Sequence, residues 1–578
     1  MENYLRRSYY FFLIAFGLVN IISFTLVLMA ISFSTGHTLS FWHFPMAIAL
    51  ALFVNFLASR FFLKGNPLRI FNQTSAIILG IIAISIPIAA YFYDISADGQ
   101  MYHMEALYQY KTGWNPFRKL LPYDLNQALW LNHYGKGAEA PQAAIYALTG
   151  KIESGKATNI MLWVASFFLC LAFLFRINHF SLKKKLFISA LFSFNPVTVY
   201  QLLCTYVDGQ VASLLLCMLL ICCFLFIETN RFFLFFLASV LVITLNIKFT
   251  TIIFAAIFSF GFLTILVINK KFAEARKVFI VCAASTILGI GLVGYFPYVT
   301  NTIDHNDPIY PGADVLQLEA SKMYPRSFHH MGRMGKFFTS FFSHTKNFHL
   351  YFGPNPPKPE VPLKIPFTFN KTDIVNACKP FVVTLAGMGP FFSGLTILGL
   401  IFYVILARNL PDRKLFKNIS LLLLVLLCSV FILSEVWFAR YVPQFWFIPL
   451  IPAVLTEFIN IKWINWLRTF FYVVTVISIS FSFVSIPYNF YSTAQIDYTL
   501  AQLKASRDVI PVEFTYDESN RVRFYENNIP FKQQHLEGDS VVFMSNCGTK
   551  FIFPKNIPQI PKPFILKLSD EVRMKLKK

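Results

Sequence analysis

The chain has 578 residues, of which 56% are hydrophobic and only 14% charged, a composition that excludes a soluble enzyme with a single anchor. Its formal charge of +21 does not point to nucleic acid, because Lys and Arg fall in short loops between apolar blocks rather than along one stripe. That distribution reads as membrane topology.

About thirteen apolar runs come near the length that crosses hydrocarbon. In chain order they are residues 9–33, 45–58, 76–93, 160–175, 186–203, 211–227, 232–245, 249–268, 278–299, 391–407, 419–433, 441–459 and 463–484. The first is too long for the apolar part of a cleaved signal peptide and is read as a retained span. One alternate set of loops carries Arg6 and Arg7; Arg60, Lys64 and Arg69; Arg176 and Lys183 to Lys185; Arg231; Lys270, Lys271, Arg276 and Lys277; Arg408, Arg413, Lys414 and Lys417; Lys462 and Arg468. The positive-inside rule makes that set cytoplasmic, with the N-terminus inside and the C-terminus outside. The expected fold is therefore an all-α polytopic membrane domain over residues 1–487, with structured outer loops at 93–157 and 301–380. A small, β-leaning outer region follows at 488–578, where the runs 540–544 and 550–553 suit strands.

The outer face holds the long segments, and chemistry is expected there. Where the third run leaves the membrane stands Asp94-Ile-Ser-Ala-Asp98-Gly-Gln-Met-Tyr102-His103, and carboxylates are uncommon at such a place without a function. A helix over 102–111 follows, ended by Gly113 and the Asn115-Pro116 turn, with Tyr108, Tyr110 and Trp114 suited to the headgroup layer. A second helix is expected over 141–149, with Pro141 near its start and Gly150 after its end. Between them lies His133-Tyr134-Gly-Lys136-Gly-Ala-Glu139. Further on are Asp208, in Cys204-Thr-Tyr206-Val-Asp208-Gly-Gln210, then Lys248 and Arg440-Tyr441, all at outer ends of runs. Each has a plain structural reading. Asp98 and Asp208 suit helix caps, Tyr102 and Trp114 an aromatic belt, Lys136 and Glu139 an i,i+3 pair, and Lys248 and Arg440 snorkelling cations. Their convergence on one face favours a site.

These residues, with the Trp114-Asn115-Pro116 turn, Asn306-Asp307-Pro308-Ile309-Tyr310-Pro311 and Arg440-Tyr441-Val-Pro443-Gln444, resemble the GT-C superfamily of integral-membrane glycosyltransferases. The nearest resemblance is to bacterial family 39-like proteins, relatives of protein mannosyltransferases and of the aminoarabinose transferase of lipid A, and it covers roughly the first 460 residues. It implies a polyprenyl-phosphate-linked sugar donor, inverting transfer outside the cytoplasm in a bacterial inner membrane, and Asp98 as the catalytic aspartate. The acceptor that it implies is a hydroxyl of a glycan, lipid or protein. The adjacent Asp-Glu pair of protein mannosyltransferases is absent, which argues against a protein.

The residue types suit that chemistry on their own account. Transfer from a phosphate needs a base for the acceptor hydroxyl and positive charge for the departing phosphate. Asp98, or Asp94, is expected as the base, and Lys248, Arg440 and Tyr441 at the phosphate. Tyr102, His103, His133, Lys136, Glu139 and Asp208 are expected around the substrate. A divalent cation, Mg²⁺ or Mn²⁺ on Asp98 and Asp208, is an alternative partner for the phosphate. Two other functions remain open: a glycan polymerase or ligase using lipid-linked oligosaccharides, and a transporter, which would place its polar groups nearer the middle of spans.

Overall fold

A backbone in hydrocarbon must satisfy its own N–H and C=O groups, so long apolar runs fold as helices. The computed structural model describes residues 2–63, 65–312, 325–346, 361–378, 382–515, 518–544, 548–555 and 560–577. Among the described residues, ten helices are long and apolar enough to cross a membrane: Tyr4–Ser34, His43–Phe62, Pro67–Tyr91, Ile152–Arg176, Asp208–Ile227, Phe249–Ile268, Phe272–Val293, Phe392–Asn409, Arg413–Phe431 and Lys462–Ser506. The chain is a multi-pass, mostly helical membrane protein. Several helix starts are fixed by polar side chains in the positively charged loops. Asn230 Oδ1 accepts from the N–H groups of Phe232 and Phe233 at 3.1 and 3.0 Å, and Asp412 Oδ1 from Leu415 at 2.9 Å.

Three of the thirteen expected spans are not among these ten. The run 186–203 breaks because a residue before proline is pushed out of the α region. The helix Leu182–Ser193 stops, and Asn195 caps the five-residue helix Pro196–Tyr200 through Val197 N at 3.0 Å. The run 441–459 becomes three 3-10 turns, Ala439–Tyr441, Pro443–Trp446 and Thr456–Phe458, and the nine-residue helix Phe447–Leu455. Its prolines Pro443, Pro449 and Pro452 lack the N–H that a full helical ladder needs. The run 232–245 forms Arg231–Ile247, 17 residues, against the roughly 20 that span hydrocarbon.

The segment 93–157 packs against the rest of the protein. Trp114, expected in the headgroup layer, is buried: its Nε1 donates to Lys119 O at 2.8 Å and its ring meets Tyr110 and Phe296. Tyr110 is buried against Phe33, and Tyr108 stacks on Tyr525. The second loop helix runs Glu139–Thr149 and ends at Gly150, whose φ of 72° favours glycine. The stretch Pro354-Asn-Pro-Pro-Lys-Pro, whose composition suits a rigid turn, lies outside the described residues.

The last long helical stretch outgrows the membrane. Lys462–Phe483 is followed directly by Ser485–Ser506, so the boundary expected at 487/488 falls inside a helix. It delivers the chain to a four-stranded sheet of order β2-β1-β4-β3. The strands are β1 Ile510–Phe514, β2 Phe531–Gln533, β3 Val541–Phe543 and β4 Thr549–Ile552, so the two β-leaning runs fall on β3 and β4. β1 is parallel to β2 and antiparallel to β4. The core of this region (Ile496, Leu500, Ile510, Val512, Phe524 and Phe551) is continuous with Ile95, Tyr206, Trp437 and Phe438 of the outer loops.

Candidate functional site

Four charges meet at one end of the helices. Arg440, in the turn Ala439–Tyr441, places NH2 3.2 Å from Asp98 Oδ2 and Nε 3.6 Å from Asp208 Oδ2. Lys248 Nζ donates to Asp208 Oδ1. With two carboxylates and two cations the group is formally neutral. Only Asp98 keeps an opening, with its side chain 15% exposed against 4–6% for the other three. Rings enclose the cations: the Arg440 guanidinium lies 4.7 Å from the Tyr206 ring centroid, 5.2 Å from Phe438 and 5.3 Å from Tyr441, and Lys248 Nζ 4.9 Å from Tyr441.

This geometry decides against the plainer readings of these residues. Asp98 precedes the π-turn Gly99–His103 but its side chain makes no capping hydrogen bond. Asp208 is the first residue of Asp208–Ile227, and its oxygens go to Lys248, Arg440 and Gln201 Nε2, the last at 3.5 Å. Lys248 and Arg440 are buried ion-pair partners, not cations reaching for headgroups. The π-turn adds a residue to the helical turn and brings Tyr102 and His103 round behind Asp98; such turns concentrate at functional sites. Burial, with the Asp98 charge adding to it, pushes the Tyr102 and Tyr206 hydroxyls up, so both stay protonated donors. Burial opposes charge on Arg440, but Asp98 and its other neighbours outweigh it and keep the guanidinium ionised.

Glycines explain how the first loop reaches Lys248. A Cβ on Gly135 would stand 2.6 Å from Asn246 O, and one on Gly137 2.6 Å from Asn246 C. With only hydrogens there, Gly137 N donates to Asn246 O at 2.7 Å, and Tyr134 lands edge-on against Phe249. Lys136 does not pair with Glu139. Its Nζ donates to Trp130 O at 3.2 Å, while Glu139 Oε1 accepts from His103 Nδ1 at 2.8 Å. Burial raises the Glu139 carboxyl, but the nearby Lys136 charge and the His103 hydrogen bond together hold it below the usual range.

Two expected residues stand apart from the cluster. Asp94 is fully buried and its oxygens are occupied: Oδ1 accepts from Ser96 N at 2.8 Å and Oδ2 from Thr205 N at 2.6 Å. It ties the first loop to the segment that carries Tyr206 and Asp208, and Gly99 must be glycine because a Cβ would meet Asp94 Oδ2 at 2.3 Å. His133 points elsewhere, with Nδ1 2.8 Å from Asn301 Oδ1 and Nε2 3.1 Å from the Tyr123 hydroxyl. Conversely, Tyr206 and Tyr134 belong to the site although only their neighbours were singled out. The apolar-to-polar change in Tyr206-Val-Asp208 was the available signal.

Unfilled hydrogen-bonding capacity marks the same place. Arg440 Nε and NH1, the Tyr206 hydroxyl and Glu139 Oε2 are buried and without a hydrogen-bond partner. Buried polar atoms ordinarily have a protein, water or ligand partner, so these atoms have hydrogen-bonding capacity left for one. A divalent cation does not suit the donors present. Asp98 and Asp208 stand on either side of Arg440 and are already neutralised, and among the described residues no three His, Cys, Asp or Glu side chains come together as a metal group. No family model and no curated protein matches this sequence.

Proposed function

We propose that the protein is a membrane glycosyltransferase that moves a sugar from a polyprenyl-phosphate donor to a hydroxyl of a glycan or lipid acceptor on the outer face. The observation that carries this reading is the buried, neutral Asp98–Arg440–Asp208–Lys248 cluster, whose guanidinium makes no hydrogen bond through Nε or NH1. A donor phosphate is the ligand that such nitrogens fit, since guanidinium grips two phosphate oxygens at once. Resemblance to the GT-C superfamily and the charge asymmetry of the loops support the same reading. They also support a bacterial inner-membrane location with the N-terminus inside.

In this mechanism the phosphate draws Arg440 off Asp98, and the carboxylate so released is the base. Asp98 takes the proton of the acceptor hydroxyl as that oxygen bonds to the anomeric carbon. The bond from that carbon to the phosphate oxygen breaks, and its electron pair leaves with polyprenyl phosphate. Attack opposite the leaving group inverts the anomeric centre. Arg440 and Lys248 hold the charge that develops on the phosphate, while Tyr102, Tyr206 and the His103–Glu139 pair are placed to hydrogen-bond the sugar. Asp94 serves as a brace for the loop.

The test is release of free polyprenyl phosphate from radiolabelled donors by the purified, reconstituted protein. Asp98→Asn keeps the shape of the side chain and removes the base, so turnover should fall at least a hundredfold with donor binding kept. Near-normal turnover in that variant, or no transfer by the wild type from any monosaccharide donor, refutes the proposal.

A further inference from the structure

The C-terminal region meets the Asp98 segment most closely through Arg523. Arg523, on the short helix Arg521–Glu526, is 2% exposed although it lies more than 400 residues from the loop that it enters. Its Nε and NH2 donate to Glu153 Oε1 at 3.0 and 2.7 Å, NH2 donates to Asp94 O at 2.5 Å, and NH1 reaches Gln100 Oε1 at 3.4 Å. Asp94 and Gln100 bracket Asp98. Glu153 returns to the same segment, accepting from Asp94 N at 3.0 Å and pairing with Lys156, which in turn donates to Phe92 O. Around this centre Asn520 Nδ2 donates to Gln100 Oε1 at 3.0 Å, Arg521 pairs with Glu105 at 2.6 Å and Ile152 N donates to Glu526 at 2.8 Å.

We infer that Arg523 is a positioning residue for Asp98: the C-terminal region holds the Asp94–Gln100 segment in the one arrangement that presents the Asp98 carboxylate to Arg440. The segment's own bonds, Ser96 N to Asp94 Oδ1 at 2.8 Å and Gln100 Nε2 to Ser96 O at 3.1 Å, do not involve the Asp98 side chain. Asp98 has no capping bond, and the π-turn after it is a sparsely used conformation that surrounding contacts must maintain. A planar guanidinium satisfies Asp94 O, Glu153 and Gln100 together, which a lysine ammonium at the same position does not. The shared apolar cluster of Ile95 and Tyr206 with Ile510, Val512 and Phe524 gives the same contact an apolar backing.

The kinetic arm of the test rests on the glycosyl-transfer reading; the structural arm does not. Full-length Arg523→Ala, Arg523→Lys and, as a control exposed on β2, Lys532→Ala are compared with wild type in lipid nanodiscs. Hydrogen exchange of amides 94–103 should quicken at least about tenfold in both Arg523 variants, while amides of β1 keep their protection. Turnover should drop about tenfold or more with the donor KM within about twofold, and Arg523→Lys should not rescue it. Protection at 94–103 within about twofold of wild type in Arg523→Lys, with β1 intact, overturns the inference. Should Arg523→Ala not fold, Arg523→Lys decides alone. If the wild type transfers no sugar, the proposed function fails, and the exchange measurement still decides the role of Arg523.

Discussion

Replacing Arg440 by methionine removes the charge that both carboxylates share. Attraction between unit charges at 3.2 and 3.6 Å is about 5 kcal/mol each at an effective dielectric of about 20. Desolvation of a guanidinium that is 5% exposed offsets much of that sum. What the substitution leaves behind matters more: Asp98 and Asp208 with Lys248 alone, a buried group of net charge −1. Breaking a buried pair in this way costs about 3–5 kcal/mol. Neutralising a carboxylate at the same time, in Arg440→Met with Asp98→Asn, restores a net charge of zero and should recover about 2 kcal/mol or more. Arg440→Lys keeps the charge and loses the fork that reaches both carboxylates, for an intermediate loss of about 1–2 kcal/mol. Equilibrium unfolding in mixed micelles, followed by tryptophan fluorescence, measures all of these without reference to activity. A coupling energy below about 0.5 kcal/mol between the two substitutions would mean that Arg440 and Asp98 do not depend on each other, and the charge-balance argument would fall.

Gly137→Ala should destabilise the protein by about 1–3 kcal/mol, because the new methyl meets main-chain and Cβ atoms of Asn246 at 2.6–2.9 Å; unfolding in the same micelles checks it, and an effect under about 0.5 kcal/mol would show that the loop can shift. The contact between His133 and Asn301 should loosen on acidification. Burial, helped by His305 and Lys136 and opposed by the Asn301 hydrogen bond and Asp304, holds the His133 imidazole below its usual 6.5. The neutral ring is therefore the bound form. Its stabilisation is complete above 6.5 and is lost as pH falls from there through the lowered folded value. Hydrogen exchange of amides 301–305, corrected for its intrinsic pH dependence, should quicken between about pH 7.5 and pH 5.5 in the wild type and not in His133→Gln.

Much of this architecture was legible because it rests on apolar run length and on charge at the ends of runs. Asp98, Asp208, Lys248 and Arg440 each stood out as a charge where hydrophobicity stops, and the structure brings those four together. Run length failed where proline intervened: Asn195-Pro196 and the three prolines of 441–459 shorten helices inside runs whose composition alone suggests full spans. The reading of Tyr110 and Trp114 as part of a headgroup belt failed because composition does not reveal that Phe33 and Phe296 cover them. His133 lay in the right motif but turned to Asn301, 168 residues away. Arg523 could not have been found. A single arginine in a short tail helix has no periodicity, and its partner Glu153 is 370 residues distant.

The helical stretch Lys462–Ser506 acts as a keyed shaft. One end is seated among the membrane helices, and the other is engaged beyond them through Thr493, whose hydroxyl accepts from Tyr93 N at 3.1 Å. An α-helix advances about 1.5 Å and turns about 100° per residue. One residue inserted anywhere between Thr493 and Ser506 therefore swings everything beyond it through more than a quarter turn, and Arg523 leaves the side of the shaft on which Glu153 waits. Seven residues bring the angle back to within about 20° but lift the tail by about 10 Å, so the key still misses its slot. The tail of this protein thus cannot be exchanged as a loose appendage: any graft has to enter in phase with the last membrane helix and at its height.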